Sequence, residues 1–142
     1  MLTKASRTVY LIAAGLLTAG VVMQVFLVGL SLLGQRLSWR EHMGLGHFLG
    51  LFVLLMVIAA YTGRLPGSIK RLTWLDFGIY LLLADVVIFL RSSIPVVAAL
   101  HPVLALTLFA ITLVLVRRAY SVVASSGAAE ELEAIAQVTT GD

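Results

Sequence analysis

Apolar residues in this chain gather in long blocks and do not alternate with polar ones. Four blocks stand out, at residues 9–33, 39–61, 74–90 and 95–116. Each comes close to the roughly 20 residues that cross a hydrocarbon core about 30 Å thick at 1.5 Å per residue. Open strands leave their backbone unpaired in lipid, so the blocks predict helices. The expected fold is all-α: an integral membrane, up-down four-helix bundle within residues 1–120, followed by an acidic tail at residues 121–142. Lys4 and Arg7 precede the first block, as in a signal peptide. Its apolar run is too long for one and no small-x-small cleavage pattern follows, so it reads as a retained helix.

Polar punctuation sets the expected boundaries. In "SWRE", residues 38–41, Ser38 fits an N-cap with Glu41 reaching back to it. "TWLD", residues 73–76, is a looser version, with Thr73 as the cap and Asp76 as its partner. Pro95 suits a first helical turn. Pro102 requires the fourth helix either to kink there or to begin in effect at His101. "GRLPGSIKR", residues 63–71, reads as a turn-rich loop.

Composition agrees with a lipid-facing chain: 61% of the 142 residues are hydrophobic, 12% are charged, and the mean hydropathy is +1.06. That charge is too sparse to cover a soluble domain of this size. The chain has no cysteine, which excludes disulfides, iron–sulfur clusters, thiolate-bound zinc and covalent c-type haem attachment. Lys4, Arg7, Arg64, Lys70, Arg71, Arg117 and Arg118 fall on the side of the N-terminus; Arg36, Arg40 and Arg91 fall opposite. This bias predicts that both termini are cytoplasmic. The net charge of +3 therefore reads as membrane orientation, and no aromatic–basic pattern for nucleic acid accompanies it.

Against this background the exceptions carry the chemistry. Gln24, His42, His47, Asp85 and His101 all fall within roughly 14 Å of the extracytoplasmic ends of their helices, and the sequence offers nothing comparable for the inner half. Ionisable groups in spans are expensive and usually face a bundle interior. Asp85 reads either as a functional carboxyl or as a packing residue paired with Gln24 or Arg91; Gln24 alone is commonly interhelical glue. A b-type haem needs one imidazole on each face. Helices two and four lie diagonally in an up-down bundle, about 11–14 Å apart when neighbours pack at about 8–10 Å. His42 and His101 sit at matched depth on those two helices and are the expected haem ligands. Gly46 and Gly50 follow His42 on nearly the same face and offer room for a macrocycle. Arg36, Arg40 and Arg91 at the rim would meet its propionates. His47 points about 140° away from His42, so a mononuclear site built from all three histidines and Asp85 is disfavoured. The alternative for every histidine is a polar side chain near the headgroups, with no cofactor bound.

"QVFL" (24–27), "HMGLG" (42–46), "GRLPG" (63–67) and "LHPVLAL" (100–106) occur in this order and spacing. In them the chain resembles a family of small bacterial four-helix membrane proteins with no assigned function. The resemblance implies a multi-pass protein of the bacterial cytoplasmic membrane. It maps the family's histidines onto His42, followed by Leu45 and Gly46, and onto His101. His47 stands where an aromatic is expected, and Asp85 where a glutamine or other polar residue is expected.

Three classes follow. The first is a cytochrome-like carrier of electrons between a membrane partner, such as a quinone, and an extracytoplasmic one. The second is a cofactor-free accessory subunit of a larger membrane complex, packing through Gly15, Ala19, Gly44 and Gly50. A transporter or ion-conducting element has the thinnest support. No nucleophile–base pair, phosphate loop or paired carboxylate points to an enzyme.

Overall fold

The computed structural model describes residues 2–34, 37–90 and 93–140; the side chains of residues 37, 38, 129–134 and 138–140 lie outside that description. Helix α1 is Leu2–Leu32, α2 is Leu37–Thr62 and α3 is Gly67–Leu81. A π turn over Leu82–Val86 joins α3 to the short α4, Val87–Leu90; a 3₁₀ turn, Pro95–Ala99, then leads into α5, Leu100–Thr140. Four helical stretches are long and apolar enough to cross a membrane: Leu2–Leu32, Trp39–Thr62, Gly67–Leu90 and Pro95–Ala128. The end of the bundle that holds the start of α1 is called the near end here, and the opposite one the far end.

Helix α1 packs on α2 and α5, and α3 packs on the same two, so α2 and α5 face each other across the diagonal. The up-down bundle therefore has the expected arrangement. Each helix turns one stripe inward at spacings of three and four residues. On α1 the stripe is Tyr10, Ala14, Leu17 and Val21; on α2 it is Leu49, Val53, Met56 and Ala60. On α3 it is Ile69, Thr73, Asp76 and Tyr80; on α5 it is Leu108, Thr112, Leu115 and Ala119. The remaining faces expose large apolar side chains, from Ile12 and Phe26 to Leu106 and Val114, as lipid contact requires. Trp74 donates to the Tyr61 hydroxyl at 2.9 Å and Lys70 lies over the Tyr61 ring, forming an aromatic belt at the near end. Trp39 is half exposed at the far end. The helical rise from Trp39 to Tyr61 spans roughly 33 Å, close to the thickness of a hydrocarbon core, which sets these aromatics at its two interfaces.

Boundaries differ from the expected ones where caps were at stake. The third span starts at Gly67, seven residues before Trp74, because Pro66 precedes it with φ −52° and its carbonyl accepts from Ile69 and Lys70. The turn between α2 and α3 shrinks accordingly to residues 63–66. Thr73 and Asp76 are therefore in mid-helix, facing the core, and do not cap anything. Helix α2 begins at Leu37, which places Ser38 in its first turn; the Ser38 side chain, Arg36 and Arg91 fall outside the described residues. The fourth span follows the second option for Pro102: α5 begins at Leu100, so the proline occupies the first turn, where no amide is needed. Helix α5 also runs on through the acidic tail to Thr140.

The α2–α3 turn closes α2 by a Schellman pattern, with Leu65 N–H on the Ala60 carbonyl and Arg64 N–H on that of Tyr61, both at 3.0 Å. Arg64 holds the left-handed position, φ +49°, that glycine normally fills. The glycine stands one residue earlier because a Cβ on Gly63 would lie 2.7 Å from the Ala59 carbonyl and 3.3 Å from the Arg7 backbone. Arg64→Gly is expected to stabilise the bundle by about 1 kcal/mol by relieving the left-handed strain. Thermal unfolding in detergent checks this, and a lower transition temperature would contradict it.

Candidate functional site

Five residues were expected in one polar layer near the far end, and the structure divides them. His42 and His101 meet across the diagonal with ring centroids 6.1 Å apart and planes tilted by 55°. Gln24 reaches the same place from α1, its Nε2 donating to the His42 carbonyl at 3.0 Å. Trp39 closes the far side of His42 edge-on at 5.7 Å. The His101 ring stands beside the backbone of Leu83, within the π turn. His47 and Asp85 are both exposed and look outward. The expected pairing of Asp85 with Gln24 is therefore absent: the amide nitrogen is committed to α2, and Asp85 lies on the outer surface of the π turn.

Among the described residues, three buried side-chain polar atoms lack a hydrogen-bond partner: Gln24 Oε1, His42 Nδ1 and His101 Nδ1. All three belong to this one cluster. Buried polar groups are paired in the great majority of cases, and an orphan costs about 1–3 kcal/mol. Three such atoms in one place leave the cluster open to a common partner, whether water or ligand.

A metal held between two imidazole nitrogens at about 2 Å each would set the ring centroids roughly 6 Å apart, which the pair matches. Among the described residues no three His, Asp or Glu side chains gather as a metal group, so the donor set is two imidazoles. That number suits the two axial positions of a haem and falls short of a four-coordinate structural zinc. The glycines below His42 are not an open shelf. A Cβ on Gly46 would stand 3.0 Å from Gln24 Nε2, and one on Gly50 would stand 2.5 Å from the Tyr80 hydroxyl. Tyr80 donates to the Gly46 carbonyl at 2.9 Å. Gln24 and Tyr80 therefore form a floor beneath the histidine pair, and the glycines let them approach the α2 backbone. Arg40 is exposed at the far rim.

A second polar cluster lies toward the near end, where none was expected. Tyr10, Thr73, Asp76 and Thr112 are all 0–1% exposed. The Tyr10 and Thr73 hydroxyls are 2.6 Å apart, and Thr73 donates to the Ile69 carbonyl at 2.9 Å. The Thr112 hydroxyl is 3.2 Å from Asp76 Oδ1 and 2.8 Å from the Leu108 carbonyl, so one proton serves two acceptors. The signal was present in the sequence: residues 69, 73, 76 and 80 share one helical face, as do 108, 112 and 115. At the near end Arg7 ties α1 to the α2–α3 turn and to α5, donating to the Gly63 carbonyl at 3.0 Å and to the Ser126 hydroxyl at 2.7 Å.

The chain matches a family of unknown function, DUF6220, over residues 24–87, which is less than half of its length. The matched stretch contains Gln24, His42, Tyr80 and Asp85 but stops short of His101. No curated protein and no solved structure matches the chain.

Proposed function

We propose that this small multi-pass membrane protein is a b-type cytochrome-like electron carrier, in which His42 of α2 and His101 of α5 would hold a haem. The supporting observation is the cluster of three orphaned buried polar atoms around two imidazoles at a metal-bridging separation. Haem bound in this way would supply one-electron chemistry. Gln24 and Tyr80 would bound the site on its inner side, and Gln24 Oε1 would fix the tautomer of a ring or hold a water there. Arg40 would offer a cation at the rim to an acidic substituent. The sparser cationic charge of the far end supports an extracytoplasmic side there, and the resemblance of the motifs supports a bacterial cytoplasmic membrane. The redox partners would then be a membrane-soluble donor and an extracytoplasmic acceptor.

The test is the optical spectrum of protein expressed with haem available. A Soret band with sharp bands in the reduced state, as six-coordinate b-type centres give, is the expected result. A colourless, well-folded preparation would favour the second reading, a cofactor-free subunit of a larger membrane complex. That reading draws on Gly15 and Gly44, whose missing side chains face open space, and on the exposed Ala19. Gly50 drops out of it, since Tyr80 covers that position.

A further inference from the structure

His47 and Asp85 left the histidine cluster, and both line one groove on the outside of the bundle. Its walls are His47 of α2 with Ala84, Asp85, Ile88 and Phe89 of the π turn and α4, and its volume is about 650 Å³. The groove opens sideways, where lipid would lie, since Ile88 and Phe89 are 41% and 81% exposed. His47 is eight residues inside Trp39 and Asp85 five residues inside Leu90, so both groups sit within the spanning segments. Ionisable side chains at such a position are costly without a polar partner. π turns also recur at functional sites.

The hydrogen-bond roles in the groove can be assigned. His47 Nδ1 is 2.8 Å from the Met43 carbonyl. A carbonyl only accepts, so Nδ1 carries the proton and Nε2 of the neutral ring is an acceptor. Asp85 makes no hydrogen bond among the described residues, and its carboxyl oxygens are open as acceptors. Tyr80 is the titratable neighbour of Asp85 on the bundle side. Its hydroxyl proton is already given to the Gly46 carbonyl. Among the described residues the groove thus presents two acceptors, with the nearby Tyr80 hydroxyl already committed, beside an exposed aromatic face.

We propose that this groove binds the head of a lipid-soluble hydroquinone, whose two hydroxyls donate to His47 Nε2 and to the Asp85 carboxyl. The apolar ring lies against Phe89 and Ile88, and the prenyl tail stays in lipid. A phospholipid phosphate is refused, because it offers only acceptors to two acceptors. The site stands apart from the histidine pair: it binds its ligand whether or not that pair holds a metal. It deepens the electron-carrier reading by naming the class of the membrane-soluble donor.

The experiment uses the full chain in phosphatidylcholine nanodiscs, prepared once without haem and once after haem loading. A radiolabelled one-isoprene ubiquinol is titrated under anaerobic conditions. Both preparations should bind one quinol per chain. His47→Leu and Asp85→Leu should each weaken binding about tenfold or more, as should methylation of both quinol hydroxyls. Ile88→Trp, which fills the groove without touching either acceptor, should abolish binding in a protein that melts normally. Undiminished binding to that variant or of the dimethyl ether would overturn the assignment. So would full displacement by phosphatidylethanolamine, which would make this a lipid site. Quinol binding to colourless protein would uphold the groove while removing the haem.

Discussion

Thr112→Val should destabilise the bundle by about 1–3 kcal/mol, whereas Asp76→Leu should leave its stability unchanged or raise it. Both side chains are 0% exposed. The Thr112 hydroxyl is the side-chain partner of Asp76, at 3.2 Å. Valine keeps the shape of threonine and removes that hydroxyl, so the carboxyl stays buried with nothing to bond. Leucine at position 76 removes the polar group itself and has the same number of side-chain heavy atoms as aspartate, branched at the same carbon. Thr112 then keeps its 2.8 Å bond to the Leu108 carbonyl. Replacing a buried polar pair by packed apolar groups is often neutral or stabilising, while removing one partner is costly. Detergent-unfolding curves followed by circular dichroism measure both variants. A large loss in Asp76→Leu would reverse the order and show that the carboxyl has a partner beyond the bundle core.

His42→Ala and His101→Ala should each lower the haem bound per chain by tenfold or more, and His47→Ala should leave it unchanged. On the proposed reading each of these imidazoles would be one of two protein ligands, and its loss would give up a coordinate bond to the haem. His47 turns outward with Nδ1 on its own helix, so its removal touches neither ring of the pair. The haem content of purified protein, read as its pyridine haemochrome, measures all three. Dependence on His47 with indifference to His42 would locate the ligand on the other face of α2.

The bundle was legible because lipid imposes a simple rule, that a span must be about 20 apolar residues with its backbone paired internally. The meeting of His42 and His101 followed from depth and topology, since two helices of like direction lie across the diagonal. What could not be read came from residues with two possible uses. Thr73 and Asp76 at i and i+3 fit a cap and fit a core stripe equally well, because both rest on the same helical spacing. Lys70 and Arg71 looked like loop residues. In the helix Lys70 reaches over Tyr61, as long cationic side chains do at an interface. Gly46 and Gly50 were expected to leave space, but a missing Cβ reports only that something comes close, here Gln24 and Tyr80. The π turn has no sequence signal of its own, and it carries Asp85 to the outer surface and away from Gln24.

The measurement closest to the central claim is the low-temperature electron paramagnetic resonance spectrum of the oxidised, haem-loaded protein. Two imidazoles from diagonal helices predict a low-spin ferric signal of bis-histidine type, converted to high spin in His42→Ala and in His101→Ala. A high-spin signal in the unaltered protein, or a low-spin one that survives both substitutions, would contradict the account.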